Sequence, residues 1–370
     1  MRTQFVIIGA GLVGLSAAWA LSRRGHEVVV LDQAQVGHAD GGSHGSCRIF
    51  RYGYENPEYV RLVGPARDAW TRLEEASGER LLKPTPQLTF GPLMGQVHDA
   101  LRQAGAPCEL MTEQAARERF PGIAVSGEVL LEPDSAVISA DRALTALAGQ
   151  LRAAGQSLGW PGNEESAKVT GLQARPGGLS VSTAAGTIDA DVVLACAGPW
   201  TGALLGGTGI TVPGSASMEQ VGYLAPAVNE EAGAAPADPQ LPIFIHYGGD
   251  FPYGLPVPGS ICYKVGIHFG GPPIDPDRQD HAEHDGLREQ IQRTASAFLP
   301  GFDPVPVSFE RCIYDNSPDT DFIVDRSGDV VIGCGTSGHG FKFGPLIGEW
   351  LAGLATGSAA APAWFGLGRF

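Results

Sequence analysis

An α/β fold of two interleaved domains is what this sequence predicts, and three observations predict it. A strand-like run, Phe5 to Ile8, feeds Gly9, Gly11 and Gly14, an apolar stretch Leu15 to Leu21, a second run Val28 to Leu31, and Asp32. A buried run ending in small residues recurs at Asp189 to Trp200 and again at Asp329 to Gly335. Between Gly214 and Val307 the pattern changes to short strand-like runs broken by proline and glycine. The 370 residues exceed one ordinary core. The expectation is a Rossmann-like nucleotide-binding domain from segments 1–85, 140–213 and 308–370, interleaved with a mostly antiparallel β-sheet plus helices from 86–139 and 214–307.

The N-terminal unit has the context that a three-glycine pattern needs: strand before, helix after, second strand and terminal acid. Its glycines suit a tight turn, close backbone approach to a pyrophosphate and packing of helix on strand, and the helix N-terminus favours phosphate. Asp32 is placed to accept hydrogen bonds from a ribose. Tyr59, Leu62, Val63, Ala66, Ala69, Trp70 and Leu73 recur at helical spacing, predicting a core-packed helix from Pro57 to about Ala76. The strand Asp189 to Ala195 runs into Ala197-Gly198-Pro199, a turn able to approach a bound nucleotide. Farther on, Gln220 to Leu224 and Ile261 to Phe269 read as strands, and Asp285 to Leu299 as a helix facing inward with Leu287, Ile291, Ala295 and Phe298. The last glycine turn leads through Ser337 to Lys342 into a helix beginning near Pro345, returning the chain to its first domain.

Against 25 Lys and Arg stand 40 Asp and Glu, a net charge of -15. That excess argues against nucleic-acid and anionic-membrane partners, so an anionic ligand needs a local basic pocket. The six cysteines are scattered, without zinc-type spacing or a disulfide framework, and no metal is expected. The apolar N-terminal stretch carries glycines at nucleotide-turn positions, and a cytoplasmic protein is the expectation.

Four segments together resemble the monomeric sarcosine oxidase family, the N-methyl amino acid oxidases among the D-amino-acid oxidase-like flavoproteins. They are Gly9 to Gly14; His44-Gly-Ser-Cys-Arg48-Ile-Phe-Arg51; Tyr253 with Lys264-Val-Gly-Ile-His268; and Arg311-Cys312 to Phe343, with Ser337-Gly-His-Gly-Phe-Lys-Phe. They span almost the whole chain in the family's order. The resemblance implies FAD, attached covalently through Cys312, with Gly9, Gly11, Gly14, Asp32, Ser43, His44, Arg48, Val169, Gly198, Gly338, His339, Gly340, Phe341 and Lys342 around it. A thiolate is the nucleophile such a bond requires, and Arg311 is expected to favour it. Without the resemblance, Cys312 reads as a free, buried thiol.

The same resemblance implies that Arg51 and Lys342 hold a substrate carboxylate, with Tyr253 lining the cavity, and that Lys264 activates dioxygen. A planar guanidinium suits bidentate carboxylate recognition, and a fixed ammonium stabilises charge developing on oxygen. Arg48, His268 and Tyr253 complete the implied catalytic set, although a buried His or Tyr is commonly a hydrogen-bonded core residue. The implied reaction oxidises the C–N bond of an N-methyl or cyclic secondary amino acid to an imine and reduces O2 to H2O2, in a monomer.

Departures from the sarcosine-specific pattern occur at Cys47, at Tyr52, between Gly214 and Pro226 with Met218, Glu219 and Gln220, and in the insert Asn229 to Gln240, and leave the substrate's side chain open. Also open are a flavin-dependent amino acid dehydrogenase with a non-oxygen acceptor, an oxidase of imines or cyclic amino acids in a biosynthetic pathway, and a non-catalytic flavin-binding subunit. A nicotinamide enzyme is disfavoured, because its nucleotide fold does not call for the C-terminal segment to rejoin it.

Overall fold

The computed structural model describes residues 1–227 and 241–370, so the insert 229–240 lies outside the described residues. Strand Arg2–Ile8 pairs in parallel with Val28–Leu31 on one side and with Gly186–Ala195 on the other. These strands occupy the middle of an eight-stranded sheet. Their apolar runs follow from burial on both faces: Val6, Ile7, Leu31 and Leu194 are inaccessible to solvent. Val330–Cys334 adds in parallel to the C-terminal end of Gly186–Ala195, which returns the end of the chain to the nucleotide turn.

Helix Leu12–Arg23 starts where it does because Gly9 turns at φ +108°, a conformation that a side chain disfavours. Gly14 lets that helix lie on the strand end, since a Cβ there would stand 1.9 Å from the carbonyl oxygen of Gly9. Helix Gly344–Thr356 packs along it, behind the sheet. Helix Pro57–Ser77 is capped by the Asn56 side chain, opens on proline and stops at Gly78 in the left-handed region. It buries Tyr59, Val63, Ala66, Ala69, Trp70 and Leu73 as the spacing predicts, while Leu62 is partly buried. Trp70 Nε1 donates 2.7 Å to the carbonyl of Lys342, which anchors a site residue to this core.

The second sheet has nine strands. Ser215–Leu224 pairs antiparallel with Tyr263–Ile267 on one side and with Ser308–Asn316 on the other. The strand carrying Cys312 is therefore part of this sheet, and the chain crosses to the first sheet only at Ile323–Ser327. A three-stranded ribbon of Cys47–Phe50, Ala136–Ser139 and Leu82–Pro84 presents Arg48 and Arg51. Among the described residues no helix is long and apolar enough to cross a membrane, and no His, Cys, Asp or Glu cluster could hold a metal ion.

Gly14→Ala forces the first helix off its strand against backbone that cannot yield. A loss of about 1–3 kcal/mol in urea unfolding is the expected result.

Candidate active site

A cavity of about 940 Å³ runs from Asp32 to Lys342, lined by both large sheets and the small ribbon. At the nucleotide end the first intrahelical bond runs from Leu15 N–H to Gly11 C=O, so the amides ahead of it lack helical acceptors. Ser43 Oγ accepts from Leu12 N–H at 3.0 Å. Asp32 accepts from the amides of Ala10 and Ala34 at 2.6 and 3.1 Å. His38 stands 3.3 Å from the Asp32 carboxylate and is made more basic by that bond. Gly9, Gly11, Val169 and Gly198 lie on the same walls. An elongated cavity with an amide-rich helix start and a carboxylate beyond it fits the pyrophosphate and ribose of FAD. Gly14 lies a turn inside the helix, off the cavity wall, where the lack of a side chain lets the helix pack on the strand end.

Cys312 stands midway. Its sulfur is 3.7 Å from an Arg48 guanidinium nitrogen and 3.6 Å from Gly42 O. Arg48 also donates to the carbonyls of Cys47 and His44, at 3.0 and 2.6 Å, and lies over Phe341 at 5.4 Å. Arg311, expected to favour a thiolate, does not approach it. Successive side chains of a strand face opposite ways, and the Arg311 guanidinium donates instead to the carbonyls of Met218, Glu219 and Ala282. Arg48 is the cation that faces Cys312. His44 bridges Gly41 O and Arg311 O at 2.7 and 3.0 Å, and burial lowers its pKa.

Beyond Cys312, Tyr253 and Tyr314 separate the Arg48 region from a second basic pair. Burial raises both phenols. Arg51 donates 2.8 Å to the Tyr247 hydroxyl and lies 4.5 Å over the Tyr54 ring. Lys342 donates to the Tyr54 hydroxyl at 2.7 Å and to His339 O at 2.8 Å, and burial followed by the Arg51 charge depresses its pKa. His268, 3.4 Å from the Tyr314 hydroxyl, is pushed down to about 3 by burial, Arg51 and Lys342, so its imidazole is neutral. Lys264, 3% exposed, donates 3.2 Å to Cys47 O and sits 5.7 Å over the Tyr223 ring. Gly338, His339, Gly340 and Phe341 line the wall beside Lys342.

Several residues of this site carried no sequence signal. Glu132 is 1% exposed and accepts from the amides of Tyr52 and Gly53 at 3.1 and 2.6 Å, from Gln87 at 2.7 Å and from Thr89 at 3.0 Å. It compensates part of the Arg51 charge. Tyr54, Tyr247 and Tyr314 were equally hidden, although the Arg51-Tyr-Gly-Tyr54 run pairs a cation with an aromatic. Of the sarcosine-pattern departures among the described residues, Cys47, Glu219 and Val221 reach the cavity. Met218 is core, Gln220 binds the backbone at His284, and the Tyr52 hydroxyl accepts from Arg67.

Asp315, on the cavity wall, is raised to about 6 by burial, against the amides of Gly335 and Thr336. A raised carboxyl pKa stabilises the fold below the unfolded value, and that contribution is lost as pH climbs through the folded one. The Tm of Asp315→Asn should therefore exceed wild type at about pH 8, with the gap closing between about pH 6 and 4.

The FAD dependent oxidoreductase (DAO) family model matches residues 4–354. The chain is 31% identical to peroxisomal sarcosine oxidase of Mus musculus, over 94% of this chain and 90% of that one. It is 31% identical to N-methyl-L-tryptophan oxidase of Yersinia pestis, over 94% of each. Its fold is also that of NikD, an amino acid oxidase essential for nikkomycin biosynthesis, with a TM-score of 0.84 at 24% identity, covering 98% of this chain and 96% of that one. A match of this extent, on a chain whose cavity has the shape and polar groups for FAD, places the protein in the DAO family of FAD-dependent oxidoreductases.

Proposed function

We propose that the protein is an oxidase of secondary amino acids, taking an N-methyl or cyclic amino acid to its imine and O2 to H2O2, with FAD tethered through Cys312. The observation that carries this reading is the paired Arg51 and Lys342, two basic groups in one buried cavity, neither ion-paired to a carboxylate among the described residues. Such a pair calls for a carboxylate from outside, and an amino acid supplies one. Glu132 cannot serve, because its oxygens are engaged by four donors behind Arg51.

With the carboxylate held, the substrate nitrogen lies among the neutral side chains of His268, Tyr253 and Tyr314, which favour an uncharged amine by withholding any counter-charge. FAD, when bound, supplies the two-electron acceptance and the reaction with dioxygen. Lys264 stands with Arg48 in a second basic pair, where an ammonium stabilises charge on oxygen. Cys312, its sulfur 3.7 Å from the Arg48 guanidinium, is placed as the nucleophile of the tether. Water hydrolyses an N-methyl imine to formaldehyde and the demethylated amino acid. Segments 1–85, 140–213 and 317–370 then form the cofactor unit, its last boundary moved from 308 because Ser308–Asn316 pairs in the nine-stranded sheet, and that sheet forms the substrate unit, in a cytoplasmic monomer.

Acid precipitation of the holoprotein should give a yellow pellet, and Cys312→Ser a colourless one. Anaerobic addition of N-methyl and cyclic amino acids should bleach the flavin, and Arg51→Ala should raise KM by about a hundredfold or more. Lys264→Met should slow reoxidation in stopped flow by about a hundredfold while leaving Tm near wild type. An enzyme that is bleached but neither consumes oxygen nor releases peroxide would be a dehydrogenase instead.

A further inference from the structure

An amino acid arrives from water as a zwitterion, and its ammonium has no lone pair to support a forming C=N bond. A proton must leave before oxidation. Around the carboxylate clamp, His268 and the tyrosines are poor acceptors and Glu132 faces away behind Arg51. The clamp itself contains a chain of hydrogen bonds leading outward. Lys342 Nζ reaches the Tyr54 oxygen at 2.7 Å, and the Tyr54 hydroxyl stands 3.2 Å from His339 Nδ1. His339 Nε2 is 3.0 Å from Thr320 O, at the exposed rim.

The direction of this chain is set by its ends. A carbonyl only accepts, so Nε2 of His339 carries the hydrogen and Nδ1 presents a lone pair. The Tyr54 hydroxyl therefore donates to His339, which leaves its oxygen to accept from Lys342. Burial and then the Arg51 charge favour a neutral amine at Lys342, whose two hydrogens are donated to the Tyr54 oxygen and His339 O and whose lone pair faces the cavity. In an α-amino acid the nitrogen and carboxylate share one carbon, so with the carboxylate held by Arg51 the Lys342 lone pair reaches the ammonium directly or through one water.

Resting on the oxidase reading above, we infer that Lys342, Tyr54 and His339 are the route by which the ammonium proton of the substrate leaves the site. The substrate N–H bond breaks as an N–H bond forms at Nζ of Lys342. Nζ passes a different proton to the Tyr54 oxygen, the Tyr54 hydroxyl proton moves to Nδ1 of His339, and the Nε2 proton goes to solvent beside Thr320. One proton is released per substrate bound, and no electrons move. Burial and Arg51 both disfavour a charged Lys342, and burial disfavours a charged His339, so neither retains the proton. The other groups facing the route are His268 and Glu132 near Lys342, with Tyr59 and its partner Asp321 beside His339.

Tyr54→Phe cuts the route and keeps the ring that stacks on Tyr59 at 4.9 Å. His339→Gln keeps an acceptor for Tyr54 and a donor for Thr320, but carries no proton. With an N-methyl amino acid that bleaches the wild-type flavin, both variants should release the proton to an indicator dye, and reduce the flavin, about a hundredfold more slowly near pH 7. Both should converge on wild type near pH 10, where the amine arrives neutral, and His339→Gln should leave KM little changed. In histidine-¹⁵N-labelled protein without substrate, Nδ1 of His339 should resonate as a hydrogen-bond acceptor and lose that shift in Tyr54→Phe. Wild-type proton release and pH profile in either variant, or a protonated Nδ1 in the resting protein, would overturn the route. A wild-type flavin bleached by no amino acid would instead overturn the oxidase reading.

Discussion

Two basic groups buried side by side repel one another when both are charged, and the arrangement around Arg51 and Lys342 answers that repulsion. Taking even one ion out of water costs several kcal/mol unless partners replace its hydration. Arg51 has the Tyr247 hydroxyl, the face of Tyr54 and, behind the backbone of Tyr52 and Gly53, the carboxylate of Glu132. Lys342 has a phenol oxygen and a carbonyl. Neither set includes a carboxylate in contact, so the cavity is electrostatically complete only when an anion enters. Burial, with the nearby positive charge second, keeps the imidazoles of His268 and His339 neutral, which suits a site that must hold an uncharged amine.

Holding such a pair requires a rigid frame, and it comes from distant parts of the chain. The ribbon bearing Arg51 packs on the helix Pro57–Ser77, whose Trp70 grips the backbone at Lys342. Glu132 approaches Gly53 so closely that a Cβ there would lie 2.4 Å from its carboxylate oxygen. That glycine is what lets two amides point at one buried charge. The result is a clamp whose geometry is set by core packing as much as by its own hydrogen bonds.

Strand parity organises the rest. In the strand Ser308–Asn316, Glu310, Cys312 and Tyr314 share the cavity face and Arg311 turns to carbonyls on the other side, while Ile313 and Asp315 reach the wall nearer the strand's end. Its neighbour repeats the rule, with Glu219 on the wall opposite Cys312 and Met218 in the core. Lys264 pairs with Tyr223, which brings a buried ammonium over an aromatic face and next to Arg48 rather than Arg51. Two basic pairs therefore lie at separate places along one cavity, with tyrosines between them.

By itself the sequence determined what depends on local order. The glycine turn with its flanking strands, the amphipathic helix Pro57–Ser77 and the return of Val330–Cys334 follow from periodicity and turn chemistry within short windows. The four motif segments likewise named Arg48, Arg51, Lys264, Cys312 and Lys342 on the cavity wall, although fewer than half of its lining residues. Tertiary structure alone decided which neighbours those residues meet. Glu132, Tyr54 and Tyr247 lie in ordinary strand or loop sequence, and their roles arise only when segments scores of residues apart are brought within hydrogen-bond distance. The displacement of Arg311 by Arg48 beside Cys312 has the same cause: adjacency along a strand points side chains apart, and adjacency across the fold brings them together.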